Sequence, residues 1–268
     1  MNFTRSSEPP LLIENLQDFY TEILEYYDEL FPLKEEVIHF FLKLLQEQQT
    51  SLQVQPVPLC RLLNIGCATG TLENRLSGYA MDITGIDKNP RMIETANRRM
   101  KKKSSTLRFF EMSALEMGRF LKKGSFHIIS CMDNMIPFIS DEILLRKFFH
   151  DCYELLSPEG KFIIQNVNFD CIQHLHQTNL PDLSSVRVTL QRSLIPSDNG
   201  QYLLDAALEL GSGRKISLQK STMLFPATTA NLESYAEEAG FTASEIYSDF
   251  SASAWTDKSQ NTVMIFTK

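Results

Sequence analysis

The sequence is poor in cysteine and has no paired cysteine motif. Cys60, Cys67, Cys131, Cys152 and Cys171 are scattered, odd in number and never spaced C-x-x-C. This argues against a disulfide framework or a thiolate zinc site and makes a reducing cytoplasm the expected compartment. Long apolar runs are also missing. Phe40-Phe41-Leu42 is cut by Lys43, far short of the ~20 residues a spanning helix needs, so no membrane segment is expected. The opening MNFTRSSEPPLL lacks the apolar stretch of a secretory signal. Positive charge is in deficit, with 26 Lys and Arg against 33 Asp and Glu for a net charge of −7. That balance argues against nucleic acid or an anionic membrane surface as a partner, because both require clustered cations. The chain itself, 268 residues with 43% hydrophobic content, can bury a substantial core as one large domain or one domain with a smaller lobe.

Apolar residues at Leu12, Leu16, Phe19, Ile23, Tyr26, Tyr27 and Leu30 recur at helical spacing, so residues 11–49 read as helices interrupted at Pro32. From residue 59 short apolar strands alternate with amphipathic helices: LCRLLNIG, MDITGID, LRFFEMS, FHIISCM and KFIIQNVNF are the strands, with SPEG as a turn before the last. That alternation predicts a parallel sheet covered on both faces. Beyond about residue 180, VRVTLQRSLIP, QYLLDAALELG and RKISLQKSTMLF follow one another without helices and predict an antiparallel meander. ATTANLESYAEEAG returns to helix, ending at Gly240, and NTVMIFTK is a last strand. The expected division is a helical lid over 1–55, an α/β core over 56–175, an antiparallel insertion over 176–227, and a helix with strands over 228–268 that complete the core sheet.

The stretch that carries chemistry is Leu62-Leu63-Asn64-Ile65-Gly66-Cys67-Ala68-Thr69-Gly70-Thr71. It is a strand, a small-residue turn and a helix start. Gly66 and Gly70 allow a ligand to approach the backbone, and helix N–H groups point into the same space. Asp87, 21 residues after Gly66 at the end of the next strand, can accept from both hydroxyls of a ribose. A nucleoside-containing cofactor at the C-terminal edge of a parallel sheet is the reading. The spacing is G-x-A-x-G and lacks the G-x-G-x-x-G of dinucleotide sites, which disfavours a nicotinamide-dependent oxidoreductase.

The stretch resembles motif I of the class I S-adenosylmethionine-dependent methyltransferases. Ile83 to Ile93, Phe110 to Leu115, Phe126 to Asn134 and Leu155 to Ile164 resemble the family's later motifs in the same order. The resemblance implies a Rossmann-like seven-stranded α/β sheet with an N-terminal helical segment and a small antiparallel β insertion. It implies S-adenosylmethionine as cofactor, with Asp87 on the ribose and Lys88 and Met92 beside the adenine. Asn64, Gly66, Cys67, Ala68 and Gly70 would line the amino-acid end. Ser113, Ala114 and Leu115 would sit beside the adenine amino group, and Cys131 and Met132 near the methyl. Asn64, Ala68 and Ser113 stand where the family carries an acid, a glycine and an acid. Asn64 can orient the loop or meet the methionine ammonium, and Ser113 can accept from the adenine amine.

YYDELFP, Cys-x-x-Asn and Gln165 to Asp170 followed by an antiparallel insertion are similar to the glycine/sarcosine and aminosugar N-methyltransferase group. By that resemblance Tyr20 and Tyr27 are lid residues, and Asn134 and Asn168 line a substrate pocket. The implied partner is a small-molecule acceptor with a nitrogen or oxygen nucleophile, on a monomer or homodimer. His174 or His176 could act as a base. No metal-ligand spacing occurs. The run Arg98-Arg99-Met100-Lys101-Lys102-Lys103 reads as the solvated C-terminal end of a helix, where cations favour the dipole. A catalytically silent binding or regulatory protein of the same fold is the alternative function.

Overall fold

The structure is a computed structural model that describes residues 20–51, 59–100, 106–173, 175, 177–218 and 222–268. Its strands are β1 (Cys60–Ile65), β2 (Met81–Asp87), β3 (Leu107–Glu111), β4 (Phe126–Cys131), β5 (Leu156–Val167), β6 (Thr178–Ser184), β7 (Val188–Pro196), β8 (Tyr202–Leu210), β9 (Lys215–Ser217), β10 (Thr222–Leu224), β11 (Ala243–Tyr247) and β12 (Asn261–Thr267). Seven of them form one sheet in the order β11-β12-β5-β4-β1-β2-β3. Neighbours among β1 to β5 are parallel, while β12 runs antiparallel to β5 and β11 antiparallel to β12. The chain fills the sheet outward from β1 to β3, then returns to the other side of β1 with β4. Such a reversal leaves a crevice at the carboxyl ends of the strands flanking it, here β1 and β4.

Alternation along β1 feeds two cores. Leu62 faces Phe41, Leu76 and Ile83, the first of these from the helix Glu35–Ser51. Leu63 and Ile65 face Phe148, Phe149 and Phe162. Each such fully buried side chain contributes about 1.5–3 kcal/mol. A second, antiparallel sheet runs β10-β8-β7-β6, with β9 paired on β8. Its apolar face, with Leu190, Leu194, Leu204 and Leu208, packs on Ile23, Tyr27 and Leu30 of the N-terminal segment and on Met92. Met92 stands in the first turn of the helix Pro90–Arg99, so this third core joins the second sheet and the N-terminal helices to the rim of the crevice.

Several local readings need correction. SPEG is not a separate turn: β5 already starts at Leu156, its register with β4 slips between Phe126 and Ile128, and Glu159 absorbs the irregularity at φ 60, as a bulge does. RKISLQKSTMLF is not one strand but contributes β9 and β10 to the edge of β8 that β7 leaves open. β6 was not anticipated because TNLPDLS is polar and holds Pro181, which an edge strand tolerates. β11, ASEIY, is short and largely exposed. The helical reading of 11–49 holds from Tyr20 onward, and Leu12, Leu16 and Phe19 lie outside the described residues. His174, His176 and Lys101 to Lys103 lie outside them as well. Among the described residues no helix is long and apolar enough to cross a membrane, and all five cysteines are free.

Candidate functional site

The turn after β1 has a left-handed backbone at Gly66 (φ 76), Ala68 (φ 46) and Gly70 (φ 72). Gly66 and Cys67 both donate their N–H to Ile86 O, at 2.8 and 3.0 Å. Asp87 completes the clamp: Oδ2 accepts from Ala68 N at 3.0 Å and Oδ1 from Asn89 N at 2.8 Å. One carboxylate thus fastens the turn after β1 to the turn after β2. Asn89 in turn caps the helix Pro90–Arg99, accepting from the N–H groups of Arg91 and Met92, which fixes Met92 against the crevice.

The two glycines serve different ends. A Cβ on Gly66 would lie 2.7 Å from Met135 Cγ, at the crevice. A Cβ on Gly70 would lie 2.6 Å from Phe109 Cζ and 2.9 Å from the Ala96 Cβ. Gly70 is therefore required for packing beneath the turn and does not open the backbone to a ligand, contrary to the sequence reading.

A cavity of about 510 Å³ opens here, lined by Tyr20, Tyr27, Gly66, Ala68, Asp87, Lys88, Asn89, Met92, Asp133 and Met135. A second cavity of about 470 Å³ adjoins it and shares Tyr20 and Asp133. Its remaining wall includes Phe31, Asn134, Phe138, Leu180, Arg192, Leu194, Leu204 and Leu224.

Of the expected site residues, Gly66, Ala68, Asp87, Lys88, Met92, Tyr20 and Tyr27 meet at the first cavity, and Asn134 lines the second. The others stand elsewhere. Asn64 is buried below the turn, where Nδ2 donates to Glu73 Oε1 at 2.6 Å and Oδ1 accepts from Ser130 Oγ at 2.8 Å; its amide is committed and turned to orienting the loop. Cys67, Cys131 and Met132 are core side chains. Ser113, Ala114 and Leu115 line neither cavity; Ser113 Oγ accepts from Leu115 N at 3.3 Å, and Ala114 and Leu115 pack on the core. Asn168 is 1% exposed and ties down the loop before β12, donating to the carbonyls of Thr256, Asp257 and Ser259. It does not line the pocket, because its amide is spent on that backbone.

Sequence reasoning missed Asn89, Asp133 and Met135 in the first cavity and most of the second. Asp133 follows the end of β4 by two residues, in the exit loop that the motif order marked; its own N–H donates to Gln165 Oε1 at 2.9 Å. Solvent reaches Asp133 along the cavity, yet protein surrounds it, and burial raises its carboxyl above the ordinary carboxylate range. Burial likewise raises Asp87, against the two backbone N–H groups that favour its charged form. The phenols of Tyr20 and Tyr27 are raised first by burial and then by the nearby Asp133 and Asp87, so both remain protonated donors.

A polar clasp holds the N-terminal segment over the turn. Asp28 accepts from Thr69 Oγ1 at 2.5 Å and pairs with Arg99, which also donates to Thr71. Arg99 is thus not part of a solvated helix end.

The cavity suits a nucleoside sulfonium compound. Asp87 presents carboxylate lone pairs for hydroxyl groups, the Gly66 backbone is bare, and Met92, Met135 and the two tyrosine rings supply apolar walls.

Residues 62–160 match the protein family described as a methyltransferase domain. A Geobacillus sp. (strain WCH70) protein that carries a provisional methyltransferase name is 23% identical over 78% of this chain and 84% of its own length. A solved S-adenosylmethionine-dependent methyltransferase from Clostridium acetobutylicum superposes with a TM-score of 0.73 at 15% identity, over 92% of this chain and 98% of that one. S-adenosylmethionine-bound CalS10, an amino pentose methyltransferase from Micromonospora echinaspora, superposes with a TM-score of 0.58 at 14% identity, over 91% of this chain and 96% of that one. The domain match runs from β1 to the start of β5, and this chain shares its fold, with the seven-stranded sheet order and the crevice beside β1 and β4, with solved S-adenosylmethionine-dependent methyltransferases.

Proposed function

We propose that the chain moves a methyl group from S-adenosylmethionine in the first cavity to a nitrogen or oxygen of a small-molecule acceptor in the second. The observation that carries this reading is the shared wall: Tyr20 and Asp133 line both cavities, so two ligands would meet at these side chains. When bound, S-adenosylmethionine supplies an activated methyl on a sulfonium. Asp87 accepts from the ribose hydroxyls, Lys88 and Met92 flank the base, and Gly66 and Ala68 border the amino-acid end. The chain's remaining task is to orient the acceptor and exclude water. Tyr20 and Tyr27 of the N-terminal segment wall the first cavity, and Leu194 of β7 and Leu204 of β8 wall the second. Asp133, a carboxylate made more basic by burial, takes the proton that the acceptor releases. The fold shared with an amino pentose methyltransferase supports an amine as the nucleophile.

Calorimetric titration with S-adenosylhomocysteine tests the cofactor half. Saturable heat is expected for the wild type, with a large loss of affinity in Asp87→Ala. No heat at millimolar ligand, with Asp87→Ala indistinguishable from wild type, would end the proposal. Methyl transfer to a panel of amines and phenols tests the acceptor half.

A further inference from the structure

The inward side of β7 reads Val188, Leu190, Arg192, Leu194. Val188, Leu190 and Leu194 are at most 2% exposed, and by strand alternation Arg192 shares their face. Opposite Arg192 on β8 stands Ala206, while Leu190 and Leu194 face Leu208 and Leu204. The small partner leaves room for the guanidinium, which lines the second cavity among Phe31, Leu180, Leu194, Leu204 and Leu224.

Arg192 is incompletely satisfied there. Nη2 donates to Pro181 O at 3.0 Å, and the Phe31 ring lies 6.0 Å from its Cζ. Its Nε is buried and has no hydrogen-bond partner among the described residues. No carboxylate among the described residues forms an ion pair with it at contact distance. Leaving a guanidinium donor buried and unpaired is costly, and guanidinium keeps its charge at any relevant pH. An anionic ligand group would satisfy both the charge and the donor.

We propose that Arg192 is an acceptor-binding residue that holds a carboxylate of the methyl acceptor, with the nucleophile at the Asp133 end of the same cavity. This rests on the function proposed above. A carboxylate fits better than a phosphate: one planar guanidinium edge matches one carboxylate, whereas among the described residues the wall offers no second cation for a dianion, and Asp133 would repel it. The acceptor class is therefore an amphiphilic carboxylic acid, with an apolar body against Leu194, Leu204 and Leu224 and an amine or hydroxyl at its far end.

Phenylacetate and phenylacetamide are suitable probes, titrated into protein saturated with S-adenosylhomocysteine. The acid is expected to bind at least about tenfold tighter than the amide. Arg192→Met should abolish that preference while leaving the S-adenosylhomocysteine affinity unchanged. An acid that binds no better than its amide, or a preference that survives in Arg192→Met, overturns the assignment. Should Arg192→Met not fold, Arg192→Lys takes its place: weaker acid binding than wild type is expected, and undiminished binding overturns it. Phenyl phosphate binding more tightly than phenylacetate would overturn the carboxylate class. Failure to bind S-adenosylhomocysteine would sink the methyltransferase reading itself; binding it without discriminating acid from amide sinks only the Arg192 proposal.

Discussion

Asn64 donates through Nδ2 to Glu73 Oε1 across 2.6 Å, and both residues are buried at the floor of the crevice. The strand end thus carries an amide, and the buried carboxylate it meets comes from the helix Thr71–Leu76. Glu73 Oε2 has no hydrogen-bond partner among the described residues. Burial, opposed by the Asn64 hydrogen bond, raises its carboxyl to about 7 from 4.5.

A pH dependence of stability follows. Between pH 4.5 and 7 the unfolded chain gives up this proton first, so the folded state loses stability as pH rises and the loss levels off above 7. The shift corresponds to a loss on the order of 3 kcal/mol. Glu73→Gln cannot titrate, so urea unfolding should show the variant gaining on the wild type from pH 5 to pH 8 by most of that amount. A difference that stays constant with pH would refute the assignment.

Ala68 holds φ at 46° and donates its N–H to Asp87. A left-handed alanine costs roughly 1–2 kcal/mol, and glycine relieves that strain while adding freedom to the unfolded chain. Ala68→Gly should therefore leave the melting midpoint nearly unchanged. Ala68→Val puts a β-branched residue into that conformation and should cost roughly 2 kcal/mol or more. Thermal unfolding of the pair checks both.

Arg99 and Asp28 join two segments 71 residues apart. Burial pushes the Asp28 carboxyl up, but the hydrogen bonds from Arg99, Thr69 and Thr71 prevail and its net shift is downward. With 30% and 43% of the two side chains exposed, the pair adds only about 0.2–1 kcal/mol to global stability. Its effect should be local. Arg99→Gln is expected to leave the melting temperature almost unmoved but to speed hydrogen exchange in residues 20–31 and raise the dissociation rate of S-adenosylhomocysteine several-fold. Unchanged exchange would show that the clasp does not hold the segment.

The parallel half of the fold was legible because β1, β2 and β4 are largely buried on both faces and read as short, mostly apolar runs that alternate with helical segments. β6 and β11 were not, since an edge strand half in solvent carries no such signal. The turn and Asp87 were legible from local spacing. Asp133 and Arg192 were not: one is fixed by a strand end, the other by a strand from the second sheet, and only the folded topology brings them to one cavity. Asn168 and Gly70 misled for the opposite reason. Their residue types suited a ligand, but the chain uses one to tie a loop and the other to clear Phe109.

Asp133 gives a prediction that separates chemistry from structure. Its carboxyl is raised above 3.8 by burial, so the folded state loses stability as pH rises from the ordinary carboxylate value through the raised one, and the loss persists above it. Asp133→Asn removes that loss and should melt higher than wild type at pH 8, with the two converging toward pH 4. The affinity for S-adenosylhomocysteine should not fall. Turnover should: a positioned base is worth on the order of 100-fold or more, and the acid limb of the kcat profile, rising with pH as Asp133 loses its proton, should vanish in the variant. A variant that melts higher yet turns over at the wild-type rate with the limb intact would leave Asp133 as cavity wall alone.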